Sequence, residues 1–220
     1  MKKVLILGLA MVLALSLFTA CGGNSDGGSN SNSNNSAKQD EKIVKSSELI
    51  TLEDAERILG MDLQVNVDSE AGEEFDKAEQ YGGLRTVYVF DGASIAFTPY
   101  MLQITVRQNS LLDKNNSLDK TMIENGGISY YAGNFKKSYE NDNDDMYKVV
   151  WVDGMGDWAC ITKSPIHSIQ IYYNEYLLDV TITGREKTAT RSDEEESAWK
   201  QEKLKDAGNL ALENLKAILG

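Results

Sequence analysis

Ser168–Thr183 reads SIQIYYNEYLLDVTIT. Ile169 and Ile171 alternate along the first half, Asn174-Glu175 marks a turn, and Leu178, Val180 and Ile182 alternate along the second. A period of two is the mark of a half-buried strand, and two such runs joined by a two-residue turn make an antiparallel hairpin. Alternation also means that one face of the sheet is more buried than the other, so an apolar surface has to cover it.

The next stretch supplies that cover. Ser192 and Glu195 have the spacing of a capping box, and Asp193–Glu196 load the first helical turn with acid, which suits the helix dipole. Leu204, Ala207, Ala211, Leu215 and Ile218 then recur at three- and four-residue steps, an amphipathic face that predicts a long terminal helix packed on a sheet.

Further strands lie upstream. YKVVWV (Tyr147–Val152) precedes the turn Asp153-Gly154, and WACIT (Trp158–Thr162) follows it. LRTVYVF (Leu84–Phe90) is β-branched and aromatic and runs into the turn signal Asp91-Gly92. Ser94–Gln108 holds one or two strands with Leu102, Ile104 and Val106 facing one way, and Pro99 belongs at an edge or bend. Leu63, Val65 and Val67 alternate in a shorter strand.

Two more helices are predicted. Thr51 caps one, with Asp54 three residues on, the stripe Leu52, Ala55, Ile58 and Leu59, and Gly60 as the stop. SLDKTMIENGG (Ser117–Gly127) makes a short second one, with Ser117 as cap and Gly126-Gly127 as stop. The order helix, strands, helix, strands, helix predicts an α+β fold, an antiparallel β-sheet with helices packed against it. Residues 44–220 are enough for a single domain with its own core.

Val152–Gly184, VDGMGDWACITKSPIHSIQIYYNEYLLDVTITG, followed by the Ala/Leu-rich terminal helix, resembles small bacterial lipoproteins of Mog1/PsbP-like fold. Gly154, Met155, Gly156, Asp157 and Ala159 match their G-(L/M)-G-D-x-A turn, and LITLEDAERILG resembles their first helix. The likeness covers about residues 48–60 and 147–218. It implies a non-enzymatic, extracytoplasmic binding or accessory domain and carries over no catalytic residue.

The N-terminus speaks to location. Lys2 and Lys3 precede an uncharged, mostly apolar stretch, Val4–Phe18, too short for a spanning helix but matched to the apolar region of a secretory signal. It ends in Phe18-Thr19-Ala20-Cys21, which resembles a bacterial lipobox. That resemblance implies cleavage after Ala20 and a diacylglyceryl thioether on Cys21. Two acyl chains on one residue anchor stably, where one holds only marginally. Residues 1–20 are thus expected to be a lipoprotein signal peptide. Residues 21–43 then form a Gly/Ser/Asn-rich tether with no apolar face to offset ordering. The location implied is the outer face of the cell membrane of a bacterium.

Loss of residues 1–20 removes two lysines and no acids, leaving 20 basic against 34 acidic residues and a formal charge of −14. Such a chain is repelled by nucleic acid and by anionic lipid, so the membrane is met through the lipid on Cys21. A protein partner or a cell-wall component is the expected target.

Candidate chemistry is sparse. A single histidine excludes a zinc site of two or three histidines within one chain, and there is no G-x-S-x-G elbow or P-loop. Cys160 sits in a strand-like run and reads as a buried thiol, and the alternative is a Cys160–His167 dyad. Asp142, Asp144 and Asp145 in the acidic loop Glu140–Asp145 offer oxygens of the kind Ca²⁺ takes, but the spacing fails the EF-hand pattern. Tyr130-Tyr131 and Tyr172-Tyr173 each place one ring on either face of a strand, where an exposed ring would contact sugars or a partner. No cofactor, metal or catalytic residue is assigned. The expected function is a surface-tethered binding or interaction module. The alternatives are a small solute-binding receptor and an extracellular hydrolase using carboxylates.

Overall fold

A computed structural model describes residues 42–65, 76–90, 100–141, 148–163, 166–185 and 191–220. Outside the described residues lie the leader with Ala20 and Cys21, most of the tether, and Val67. So do the Asp91-Gly92 turn, Pro99, Pro165 and the acidic positions Asp142, Asp144 and Asp145.

The hairpin that opens the sequence argument is present. β7 (His167–Tyr173) and β8 (Tyr176–Thr183) pair antiparallel from Tyr173↔Tyr176 to His167↔Ile182. Asn174 and Glu175 both take positive φ, +47° and +68°, which matches the twist of a two-residue hairpin turn. On one side β8 continues to β4 (Met101–Arg107), which pairs with β3 (Gly83–Phe90). On the other, β7 pairs with β6 (Trp158–Thr162), which pairs with the two-residue β5 (Val150–Trp151). β1 (Leu63–Val65) and β2 (Lys77–Glu79) both lie against β3, β1 at its Phe90 end and β2 at its Gly83 end. Every pairing is antiparallel, in the order β1-β3-β4-β8-β7-β6-β5.

The main core lies on the face that carries Leu102, Ile104, Val106, Ile169, Ile171, Leu178, Val180 and Ile182. α1 (Ser46–Leu49), α2 (Leu52–Leu59) and the long α5 (Asp193–Leu219) pack there. α5 starts as its sequence requires: Ser192 Oγ accepts the Glu195 N–H, and the Glu195 carboxylate accepts the Ser192 N–H. Leu204, Ala207, Ala211 and Leu215 are fully buried. Small residues set the approach to the sheet. A Cβ on Gly208 would lie 3.0 Å from Ile171 Cδ1 and 3.1 Å from Ile169 Cδ1. Near its end, α5 is tied to α1 by Asn214 Nδ2 donating to the Leu49 carbonyl at 3.0 Å. α2 carries the reciprocal Thr51–Asp54 cap and stops at Gly60 in the left-handed region.

The other face carries a smaller cluster of Met122, Ile128, Ala132 and Leu177, bordered by Tyr81, Leu112, Tyr131, Trp158 and Tyr172. Two helices cover it, α3 (Ser117–Asn125) and α4 (Ile128–Glu140). Two expectations are corrected here. The cap of α3 is Asn116 and not Ser117: Asn116 Oδ1 accepts the N–H groups of Leu118 and Asp119 at 2.9 and 3.3 Å. Tyr130 and Tyr131 sit on α4, not on a strand. Gly126-Gly127 does stop α3, but Gly127, at φ +67°, immediately starts a new helix. Asn109 Oδ1 accepts the first N–H of that helix, from Ile128, at 2.8 Å, and any Cβ on Gly127 would collide with it. The cap comes from outside the helix, so no local signal marked its start.

Candidate functional site

The strand alternation that buries Ile169, Ile171, Leu178 and Val180 sends their neighbours to the opposite face. There the register aligns a row of polar side chains across five strands. Arg85 stands opposite Thr105, Thr105 opposite Asp179, Asp179 opposite Gln170, and Gln170 opposite Cys160. Arg107, opposite Leu177, is the diagonal neighbour of Asp179 on the same face. The centre of an antiparallel sheet is an expensive place for a carboxylate and a guanidinium, because both lose water.

The row is incompletely satisfied. Asp179 Oδ1 accepts from Thr181 Oγ1 at 3.2 Å, and Oδ2 accepts a long 3.4 Å bond from Gln170 Nε2. Gln170 is only 6 % exposed, yet its Oε1 has no partner among the described residues. Among the described residues the Arg107 side chain forms no hydrogen bond or ion pair, and its buried Nε is unpartnered. Its guanidinium instead lies over the Tyr131 ring, 5.7 Å from the centroid. Tyr131 in turn stacks on Tyr81 at 5.0 Å and takes the Phe135 edge at 4.8 Å. Burial raises the Asp179 carboxyl above its ordinary value, while Arg107, Thr181 and Gln170 pull it back. Burial likewise raises the Tyr131 phenol. Asp179 as a residue is half-buried, and its carboxyl lies deep among protein atoms.

Cys160 and His167 stand on opposite faces of the sheet and form no dyad. Cys160 is fully buried on the Gln170 side, where burial, with the Asp179 charge adding to it, pushes the thiol up to about 12. His167 Nε2 lies 3.0 Å from Ser197 Oγ on α5. Burial and then Lys200 hold His167 below its usual value, with Glu196 opposing. Beside it the Tyr100 hydroxyl lies 2.8 and 3.0 Å from the two Glu196 oxygens. Lys200 Nζ lies 3.5 Å from Glu196 and donates to the Gly184 carbonyl at 2.7 Å. These buried groups satisfy one another and fasten the start of α5 to the sheet.

Tyr172 and Tyr173 take opposite faces, as expected. Tyr172 shares a 2.8 Å hydrogen bond with Ser129 and stacks on Trp158, while Tyr173 lies under Lys216. Tyr130 is the exposed ring of the other pair. Among the described residues no group of three or more His, Cys, Asp or Glu is placed to hold a metal, and no helix is long and apolar enough to cross a membrane.

Sequence reasoning passed over Arg107, Gln170 and Asp179, and it singled out Tyr131 as a strand residue, where the structure has it on α4. The signal for Asp179 was there: an acid in the middle of the otherwise apolar YLLDVTIT strand. Compared with protein-family models, curated sequences and solved structures, the chain matches none of them.

Proposed function

We propose that this chain is a bacterial lipoprotein, anchored through Cys21 at the outer face of the cell membrane, whose tethered domain is a non-enzymatic binding module. The anchor reading rests on the basic start, the short apolar run and Phe18-Thr19-Ala20-Cys21. The Mog1/PsbP-like assignment is supported by the all-antiparallel sheet with α5 across it. The binding reading is carried by one observation: on the sheet face that carries α3 and α4, Arg107 Nε and Gln170 Oε1 have no hydrogen-bond partner among the described residues and lie beside a buried carboxyl. Native proteins leave few such groups unpaired, and a ligand is one way to complete them.

Two measurements test this. Intact mass of the membrane fraction should show a diacylated species beginning at Cys21, and Cys21→Ser should release the protein from membranes. In-cell crosslinking should then capture a target that a control retaining only residues 1–41 does not. An unlipidated Cys21, or capture identical to the control, would remove the anchor or the partner-binding reading respectively.

A further inference from the structure

We propose that His167 and Ser197 form an acid-sensitive latch, which holds the start of α5 on the sheet at neutral pH and releases it when the imidazole gains a proton. The chain has one histidine, so the latch has a single trigger. On the outer face proposed above, the domain meets the pH of its surroundings directly. The latch itself depends only on the fold.

The hydrogen bonds fix which form of the ring is accepted. Gln201 Nε2 lies 3.1 Å from the Ser197 carbonyl oxygen, which can only accept, so the amide turns its NH2 end that way. The same NH2 donates to Ser197 Oγ at 3.2 Å. The Ser197 hydroxyl proton is then left to point at His167 Nε2, 3.0 Å away. Nε2 is an acceptor in this arrangement, and the ring is the neutral tautomer with its proton on Nδ1. An imidazolium has no acceptor to offer. Protonation sets two donors, from Gln201 and His167, against one Oγ and strands the hydroxyl proton.

Charge acts in the same direction. Burial disfavours the charged ring first, then Lys200 from α5, and Lys163 at the end of β6 adds to it. Glu196 from α5 opposes them, but it is already engaged. Its oxygens lie 2.8 and 3.0 Å from the Tyr100 hydroxyl, and Lys200 Nζ and Arg191 Nη1 each stand 3.5 Å away. The β8 residue opposite His167 is Ile182, which is uncharged. The start of α5 has little else to hold it. Between Asp193 and Gln201 the buried residues are Glu196 and Lys200, and fully buried apolar anchoring begins at Leu204. A segment held by polar contacts is one that opens locally, without the core.

The folded ring titrates below the ordinary 6.5, so the latch holds fully above 6.5 and is lost as pH falls through the folded value. Asp179 has the opposite sign, since its contribution becomes more favourable as pH falls, and it does not imitate this effect.

The test is amide hydrogen exchange of the full-length lipoprotein in detergent between about pH 8 and about pH 5, with each rate divided by its intrinsic value. Protection of Asp193–Gln201 should fall with pH by up to about tenfold per unit, while Ala207–Leu215 keeps its protection. His167→Gln offers Ser197 an uncharged acceptor and should hold one level throughout, and any contribution from Glu196 would survive in it. Ser197→Ala suits a helix, keeps every charge and should show a smaller pH dependence, which serves if His167→Gln fails to fold. The ring C–H resonances of the single histidine should titrate below 6.5. Protection that is flat with pH in the parent would overturn the latch. So would a fall shared equally by Ala207–Leu215, a fall that survives in full in either variant, or a histidine midpoint at or above 6.5.

Discussion

The Tyr88 hydroxyl donates to the Ile50 carbonyl at 2.6 Å, and both residues are completely buried. Ile50 is the first of the two residues between α1 and α2, ahead of the Thr51 cap, so its carbonyl is outside either helix and has to find a donor elsewhere. A tyrosine on the central sheet supplies it, joining the amino-terminal helices to β3. Tyr88→Phe leaves that carbonyl without its donor in the core, which costs about 1–3 kcal/mol. For a domain of this size each kcal/mol lowers the melting temperature by about 2–4 °C. Thermal unfolding of the variant checks it, and an unchanged midpoint would mean that the bond contributes nothing.

Gly208 sets the distance between α5 and the sheet. Alanine there gains about 1 kcal/mol of helix propensity, while its Cβ presses on two flexible Ile Cδ1 atoms. The two effects should nearly cancel. Valine adds bulk that these side chains cannot absorb and should destabilise by about 1–3 kcal/mol. Urea unfolding of the pair distinguishes close packing from a helix that merely lies nearby.

Glu175 holds φ at +68° in the β7–β8 turn, where a residue with a Cβ is disfavoured by about 1–2 kcal/mol. Among the described residues its side chain takes one hydrogen bond, an exposed one in which Asn109 Nδ2 donates to Glu175 Oε2 at 3.1 Å. Glu175→Gly should therefore raise stability by about 0.5–1 kcal/mol, read from the urea midpoint at constant slope.

Asp179 predicts a pH dependence. Arg107 and Thr105 from β4, Arg85 from β3, Gln170 from β7, Cys160 from β6 and Tyr131 from α4 all face it or its immediate surroundings. Its folded carboxyl titrates above the ordinary 3.8, so the folded state binds a proton that the unfolded state has already lost. Its contribution is most favourable below 3.8, declines as pH rises towards the folded value, and stays unfavourable above it. Asp179→Asn should therefore gain stability over the parent as pH rises from 3 towards neutrality, by about 1.4 kcal/mol at most for each pH unit in that interval. Equal pH profiles for the two proteins would place the carboxyl in water.

How far the sequence could be read depended on the range of the interactions. The β7–β8 hairpin and the caps at Thr51 and Ser192 were legible because their determinants lie within a few residues of each other. α4 was not, since Asn109 caps it across 19 residues and the Gly126-Gly127 pair reads as an ending. The polar row was hidden for a similar reason. Asp179, Gln170 and Arg107 become neighbours only once the strand order is known, and β4 and β8 are brought together by register, with no short turn between them. The lipobox-like stretch ending at Cys21 is the opposite case: the anchor proposed there rests on a contiguous motif that is read without a fold.

The bond from Asn214 to Leu49, like the β4–β8 pairing, has a kinetic meaning. It closes a loop of 165 residues, and the sheet's central seam waits for a strand more than seventy residues downstream of its partner. Neither can form while the carboxy-terminal segment is still inside a ribosome or a translocation channel, and contacts of such long sequence separation make folding slow. An emerging amino-terminal half carries β3 and β4 with an open edge and an uncovered apolar face. A chain built this way stays loose until its last turns are free, which is compatible with the export proposed above. It also makes the final helix the step that commits the whole domain.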